Sequence, residues 1–366
     1  MTFVIAVQTV GLILASWIAI LATVASLAPS APATPPATTQ PSTTPPVPPE
    51  QAAGGPGSSA YVHASITASR YGSGADEVFV FEPADPTPER APVVVFCHGW
   101  LGIDPAHYGA WITHIVRRGY TVVYPRYQID LRTPPANFTR HALNGTKHAL
   151  EQLRAPGHVM PDERGLAFVG HSMGGLVAAN LAALAARGML PPPLALMSVT
   201  PGKTWPEASR IAFPLQDLSV LPANLLLVAL ANDDDDFVRD IDARKVYRGA
   251  VNVAEENKNY VRMFSDEHGE PSLHADHRAP TAPGGMIAPD ASLPFSAGGA
   301  GDDGGRGELI TNALDYYGTW KLFDGLADAV FRGVHREYAL GNTSQQRYRG
   351  EWSDRMPVRE LMIGLP

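Results

Sequence analysis

The sequence predicts an α/β domain with a mainly parallel central sheet and helices on both faces. Two observations carry that expectation. From Tyr61 onward, short apolar runs alternate with stretches of helical spacing, which implies parallel strands joined by right-handed crossovers. The central runs, such as "APVVVFCHG", are continuously apolar rather than alternating, as strands covered on both faces are.

The elements follow in chain order. "DEVFVFEP" is an early strand and "APVVVFCHG" a buried one. "YGAWITHIVRRG" has helical spacing and a glycine stop, and "YTVVYPRY" returns to strand. "NGTKHALEQLRA" reads as helix, "GLAFVG" as strand and "GGLVAANLAALAARG" as helix. "LALMSVT" and "NLLLVALA" are further strands, and "NYVRMFSDEHG" is the last core strand with its exit loop. A Gly/Pro-rich tract, Arg278 to Gly307, precedes a helix from Glu308 to Arg332. Pro201 to Ala223 is too short for a helical cap domain, so the expected site is open and roofed, if at all, by the tract after His268 acting as a mobile flap.

The first sixty residues differ from the rest. Thr2 to Ala28 carries no charged side chain, longer than a membrane span needs and longer than a signal-peptide core. Both a membrane anchor and a cleaved signal fit residues 1–28, and either places the following domain outside the cytoplasm. Residues 29–60 are rich in proline, threonine and alanine and read as a disordered linker, because they hold too little apolar surface to offset ordering. That leaves 61–366 as the catalytic domain. Its formal net charge of −8 for the whole chain, with no Lys/Arg-rich block, argues against nucleic acid as a partner. Cys97 is the only cysteine, which excludes an intramolecular disulfide and a cysteine metal cluster; it reads as a small buried strand residue. Sequons at Asn137, Asn144 and Asn342 matter only in a host that glycosylates exported proteins.

The chemistry-bearing stretch is "LAFVGHSMGGLVAANLAALAARG". Gly170-His171-Ser172-Met173-Gly174 is a G-x-S-x-G pattern between a predicted strand and a predicted helix, the context in which a serine is forced into a strained turn and its Oγ exposed. The flanking glycines let strand and helix approach. Helix onset aims free N–H groups at the serine, which makes the Met173 amide a candidate oxyanion donor, with the Trp100 amide of "FCHGWLG" as the second. His98 and His171 flank the chemistry as loop braces.

A serine hydroxyl needs a base, and the base a carboxylate, following the serine in the order acid, then histidine. "ALANDDDDFV" ends in four aspartates, Asp233 to Asp236. A G-x-x-D-x-x-V pattern, anchored on Val238, selects Asp235; Asn232 stands where glycine is usual, so Asp234 and Asp236 stay open. His268 in "SDEHG", just past a strand in a glycine-containing turn, is the expected base, with His277 in "HADHRAP" as its rival.

In this order, "VVVFCHGWLG", "GHSMGG", "ALANDDDDFV" and "SDEHG" resemble an α/β-hydrolase of the esterase and lipase type, and "GHSMGG" is similar to the elbow of its cutinase-like and dienelactone-hydrolase-like branches. The resemblance implies a Ser-His-Asp acyl-enzyme mechanism with no cofactor and no metal. The expected substrate is a small-molecule, lipid or polyester ester. Acyl transfer to an alcohol and a non-catalytic binding module are the alternatives.

Overall fold

The computed structural model describes residues 44–204, 213–290, 292–293 and 309–365. β1 (Ser65–Tyr71), β2 (Val78–Ala84), β3 (Arg90–Cys97), α1 (Gly109–Arg117), β4 (Thr121–Pro125), α2 (Phe138–Gln152), β5 (Met160–His171), α3 (Met173–Ala186) and β6 (Pro193–Val199) alternate as expected. They continue through β7 (Leu226–Asn232), α4 (Ile241–Gly249), β8 (Lys258–Met263), α5 (Trp320–Arg332), α6 (Ser344–Arg347) and β9 (Met362–Ile363). β1, α4, α6 and β9 are additions to the sequence reading. The helix expected from Glu308 begins later: a π turn at Asp315–Thr319 leads into α5.

One nine-stranded sheet runs in the order β1-β2-β4-β3-β5-β6-β7-β8-β9. The pairs from β4 through β3, β5, β6 and β7 to β8 are parallel, while β1, β2 and β9 enter antiparallel. In β3, the run Val93 to Cys97 is fully buried because both faces are covered. Trp111, Ile112 and Ile115 of α1 join Phe323 and Leu326 of α5 on one face. Phe138 of α2, Leu176 and Leu181 of α3 and Val246 of α4 cover the other. With β5 central, α3 is apolar all round but for the hydrogen-bonded Asn180, and buried along nearly its whole length, as a helix between sheet and neighbours must be.

Three expectations are corrected or fall outside the described residues. Residues 44–60 are not a free linker. Ser58 is fully buried, and the Gly57 amide donates to Asp324 Oδ2 at 2.7 Å. A Cβ at Gly57 would lie 1.9 Å from the Tyr316 carbonyl oxygen. The segment is held by hydrogen bonds to its backbone together with the buried Pro56 and the Pro49 ring beside Gly350, the kind of packing that composition does not reveal. Residues 1–28, with the expected anchor or signal, and 29–43 lie outside the described residues; among those described, no helix is long and apolar enough to cross a membrane.

The first part of the Gly/Pro-rich tract is also not a free flap. Ala282 accepts from Ala110 N at 2.8 Å, Met286 N donates to Thr113 Oγ1 at 2.9 Å, and Asp290 N donates to Asp104 Oδ2 at 2.8 Å, fastening the tract along α1. Residues 294–308 lie outside the described residues. In 201–223, the described parts hold a single short turn at Leu218–Val220, and 205–212 is not described.

Candidate active site

β5 ends at His171 and α3 begins at Met173, so Ser172 occupies the whole turn. Its φ of 56° and ψ of −129° lie where a side chain is strained. The turn is possible because nothing larger than glycine fits beside it. A Cβ on Gly170 would come within 2.2 Å of the Gly174 carbonyl oxygen, and one on Gly174 within 2.2 Å of the Cys97 carbonyl oxygen. The strained serine is therefore clamped between the ends of β3 and β5. Its amide donates to Val199 at 2.9 Å, tying the turn to β6.

Asp235 lies in the loop after β7 and is buried. Its Oδ1 accepts the Phe237 and Val238 amides at 3.1 and 2.9 Å, so the valine three residues on contributes its backbone N–H. Its Oδ2 faces His277 Nδ1 at 2.7 Å. His277 Nε2 in turn lies 2.9 Å from Ser172 Oγ. A carboxylate only accepts, so the proton sits on Nδ1 and Nε2 is left to accept from the serine hydroxyl. Relative exposure is 5% for Ser172, 3% for Asp235 and 8% for His277. Of the neighbouring acids, Asp233 Oδ1 accepts Ser265 N at 2.8 Å and Asp234 Oδ2 accepts Ser265 Oγ at 2.7 Å; both brace the loop that brings in His277.

His268, the histidine expected from the sequence, is not brought to Ser172. It is exposed, with Nε2 2.8 Å from Asp354 Oδ2 and its ring against Trp352. The reason is a pinch in the chain after β8. Asp266 and Leu273 pair through N–H···O bonds of 2.8 and 2.9 Å, so residues 267–272 turn outward and only Ala275 to His277 return to the sheet. Asp234 N donating to Ala275 at 3.1 Å and Asn232 Nδ2 donating to Asp276 at 2.8 Å fix that return.

The two expected oxyanion donors face no competing acceptor among the described residues. Gly99 N donates to Tyr108 Oη at 2.9 Å and Leu101 N to Gln128 Oε1 at 2.8 Å, which leaves the Trp100 amide between them unspent. Met173 N opens α3, where no intrahelical acceptor exists. His98 braces the start of this loop: it is fully buried, stacked on Tyr127 with ring centroids 4.0 Å apart, and its Nε2 lies 2.7 Å from the Arg126 carbonyl oxygen. His171 points the other way, with Nε2 2.8 Å from the His277 carbonyl oxygen. Burial, and then the neighbouring His277 ring, hold its pKa well below the usual histidine range. Burial likewise raises the Cys97 thiol out of the reactive range. Among the described residues no group of three or more His, Cys, Asp or Glu side chains is arranged to hold a metal ion.

The cleft directly at Ser172 is small, about 30 Å³, and is walled by Trp100, Tyr108, His171 and His277. Beyond it, on the outer side of the His277 loop, a second cleft of about 570 Å³ opens. Tyr108 and the residues of this second cleft carry no sequence signal of their own.

The family model of chlorophyllase matches residues 56–212, a span that includes Ser172 and stops before Asp235 and His277. No curated protein matches the chain. Among solved structures, a thermostable esterase from Pseudomonas putida is similar at 19% identity and a TM-score of 0.44, over 55% of this chain and 75% of that one. A double mutant of esterase rPPE is similar at the same identity and TM-score, over 55% of this chain and 74% of its own. A sheet in this strand order, with a strained serine at the exit of its central strand and a helix starting at the next residue, has the α/β-hydrolase fold.

Proposed function

We propose that the protein hydrolyses carboxylic esters through an acyl-enzyme formed on Ser172, with His277 as general base and acid and Asp235 orienting it. The observation that supports this most is the single imidazole spanning the two groups, 2.9 Å from Ser172 Oγ and 2.7 Å from Asp235 Oδ2. Ser172 gives its proton to His277 Nε2 as Oγ bonds to the ester carbonyl carbon. The carbonyl oxygen takes up negative charge between the Trp100 and Met173 amides, and the imidazolium is stabilised by Asp235. Collapse breaks the bond to the alcohol, which leaves with the proton from Nε2. Water then repeats the sequence on the acyl carbon and restores Ser172. The uncharged stretch Thr2 to Ala28 supports an exported enzyme, freed by cleavage or held by its N-terminus, which fractionation of expressing cells decides.

The test is hydrolysis of para-nitrophenyl butyrate, with chlorophyll added to the substrate panel because of the likeness to chlorophyllase. Ser172→Ala and His277→Ala each lower kcat on the order of 10⁶-fold, while His268→Ala does not remove activity. A fluorophosphonate probe labels Ser172 in the wild type and nothing in Ser172→Ala. Wild-type activity in Ser172→Ala, or loss with His268→Ala instead of His277→Ala, rejects the assignment.

A further inference from the structure

Building on the ester-hydrolase reading above, we propose that Arg278 selects esters whose leaving alcohol carries an anionic group, a carboxylate above all. Arg278 directly follows His277 and is half-buried. Its amide donates to Asp276 Oδ1 at 2.9 Å, but its guanidinium has no ion pair and no hydrogen bond among the described residues. Two more deeply buried arginines are held by carboxylates: Arg126 by Glu77 at 2.9 Å, and Arg118 by Asp324 and Asp328 at 3.1 and 2.9 Å. Removing an unpaired charge from water is unfavourable, and a bound anion of the right shape offsets it.

Its position gives that anion a place in the reaction. The cleft of about 30 Å³ at Ser172 holds little beyond the reacting group. The cleft of about 570 Å³ is of the size that binds small molecules, and the two share Arg278, Thr281 and Leu309. The larger cleft is lined by the loop that carries His277. Because the alcohol departs with the proton from His277 Nε2, the alcohol side of the ester, rather than the acyl side, projects there.

Three carboxylates also line the larger cleft, but none reaches the junction. Asp276 Oδ1 is occupied by the Arg278 and Ala279 amides, both at 2.9 Å. Glu267 and Glu270 are exposed on its outer wall. Arg278 is thus the only charged side chain among the described residues that lines both clefts. Its planar fork matches a carboxylate through two parallel N–H···O bonds.

Three butyryl esters of matched phenols test this on the full-length protein: para-hydroxybenzoate (anionic), para-hydroxybenzamide (neutral) and para-hydroxyphenyl-trimethylammonium (cationic). Each kcat/KM is divided by the rate constant for hydroxide to remove intrinsic reactivity. The expected wild-type ratio of anionic to neutral ester is roughly tenfold or more, with the cationic ester below the neutral one. Raising salt from roughly 0.01 to 1 M, which shortens the screening length from about 30 to about 3 Å, lowers that ratio. Arg278→Gln brings it to about one, and Arg278→Lys retains part of it. A wild-type ratio of one or below, or a ratio unchanged in Arg278→Gln, overturns the proposal; if that variant does not fold, a wild-type ratio insensitive to salt does so. Failure to cleave even the neutral ester rejects the hydrolase reading itself, whereas cleavage of it without charge preference rejects only the role of Arg278.

Discussion

Tyr108 Oη lies 2.9 Å from His171 Nδ1 and 2.9 Å from the Gly99 amide nitrogen, and the polarity of this chain of bonds is fixed at both ends. An amide can only donate, so Tyr108 accepts from Gly99 and spends its own proton on His171. At the far end, the His277 carbonyl can only accept, so His171 donates through Nε2 at 2.8 Å. His171 is thereby held as one neutral tautomer, and the loop presenting the Trp100 amide is connected to the backbone of the base. Tyr108→Phe leaves a buried N–H and a buried ring nitrogen unpaired, a loss of about 1–3 kcal/mol in stability. Because both ends of the chain are reacting-site elements, kcat falls between about tenfold and a hundredfold while KM changes little. The kcat is taken per Ser172 titrated with a phosphonate; a lowered Tm with unchanged kcat per titrated site contradicts a positioning role.

The neutral His171 also makes the protein sensitive to acid. In the unfolded chain its pKa is near about 6.5, and folding lowers it through burial and the His277 ring. Below about 6.5 the unfolded state therefore binds more protons than the folded one, and stability is lost as pH falls, by at most about 1.4 kcal/mol per pH unit for this group. Burial moves His98 in the same direction, to about 4. His171→Gln can keep both hydrogen bonds without the titration. Its urea midpoint is expected to fall less between pH values of about 7 and 5 than the wild type's. Parallel pH profiles for the two proteins speak against this origin.

Two N-terminal truncations separate the ordered segment from what precedes it. A chain starting at Thr44 keeps every contact of the described unit, including Gly57 N to Asp324 Oδ2 and Arg118 Nη1 to the Gly55 carbonyl oxygen at 3.2 Å. A chain starting at Tyr61 loses both. A hydrogen bond to a charged group contributes about 1.5–3 kcal/mol. With both lost, at about 2–4 °C per kcal/mol for a large domain, the shorter chain melts roughly 6 °C or more below the longer one by scanning calorimetry. Equal melting temperatures show that the segment contributes nothing.

The parts of the site that were legible in the sequence are those set by local backbone geometry. Ser172 announces itself because its turn tolerates only glycine two residues away on either side, and Asp235 because its partner amide belongs to a residue three positions on. His277 depends instead on reach. From the end of β8 the chain crosses β7 and β6 to arrive at β5, three strand spacings or roughly 14 Å. The few residues between Met263 and His268 span that distance only when nearly fully extended, at about 3.3–3.6 Å each, leaving no slack to turn a ring toward Ser172. The longer path to His277 has that slack, so counting reach favours it over the histidine nearest the strand. The Asp266–Leu273 pinch carries no sequence signature. Nor does the packing of residues 44–60, where proline-rich composition suggests disorder but backbone hydrogen bonds make most of the contacts to the rest of the domain.

The same pinch separates two things that usually change together. Residues 267–272 lie outside a closed neck and contribute Glu267 and Glu270 to the wall of the larger cleft, while the Glu270 amide donates to the Pro46 carbonyl oxygen at 2.8 Å and Gly269 lies against Trp352. The wall of the cleft is thereby tied to residues 44–60, and the path of His277 to the neck. Changes in the N-terminal segment are therefore expected to reshape the wall of the larger cleft before they move His277.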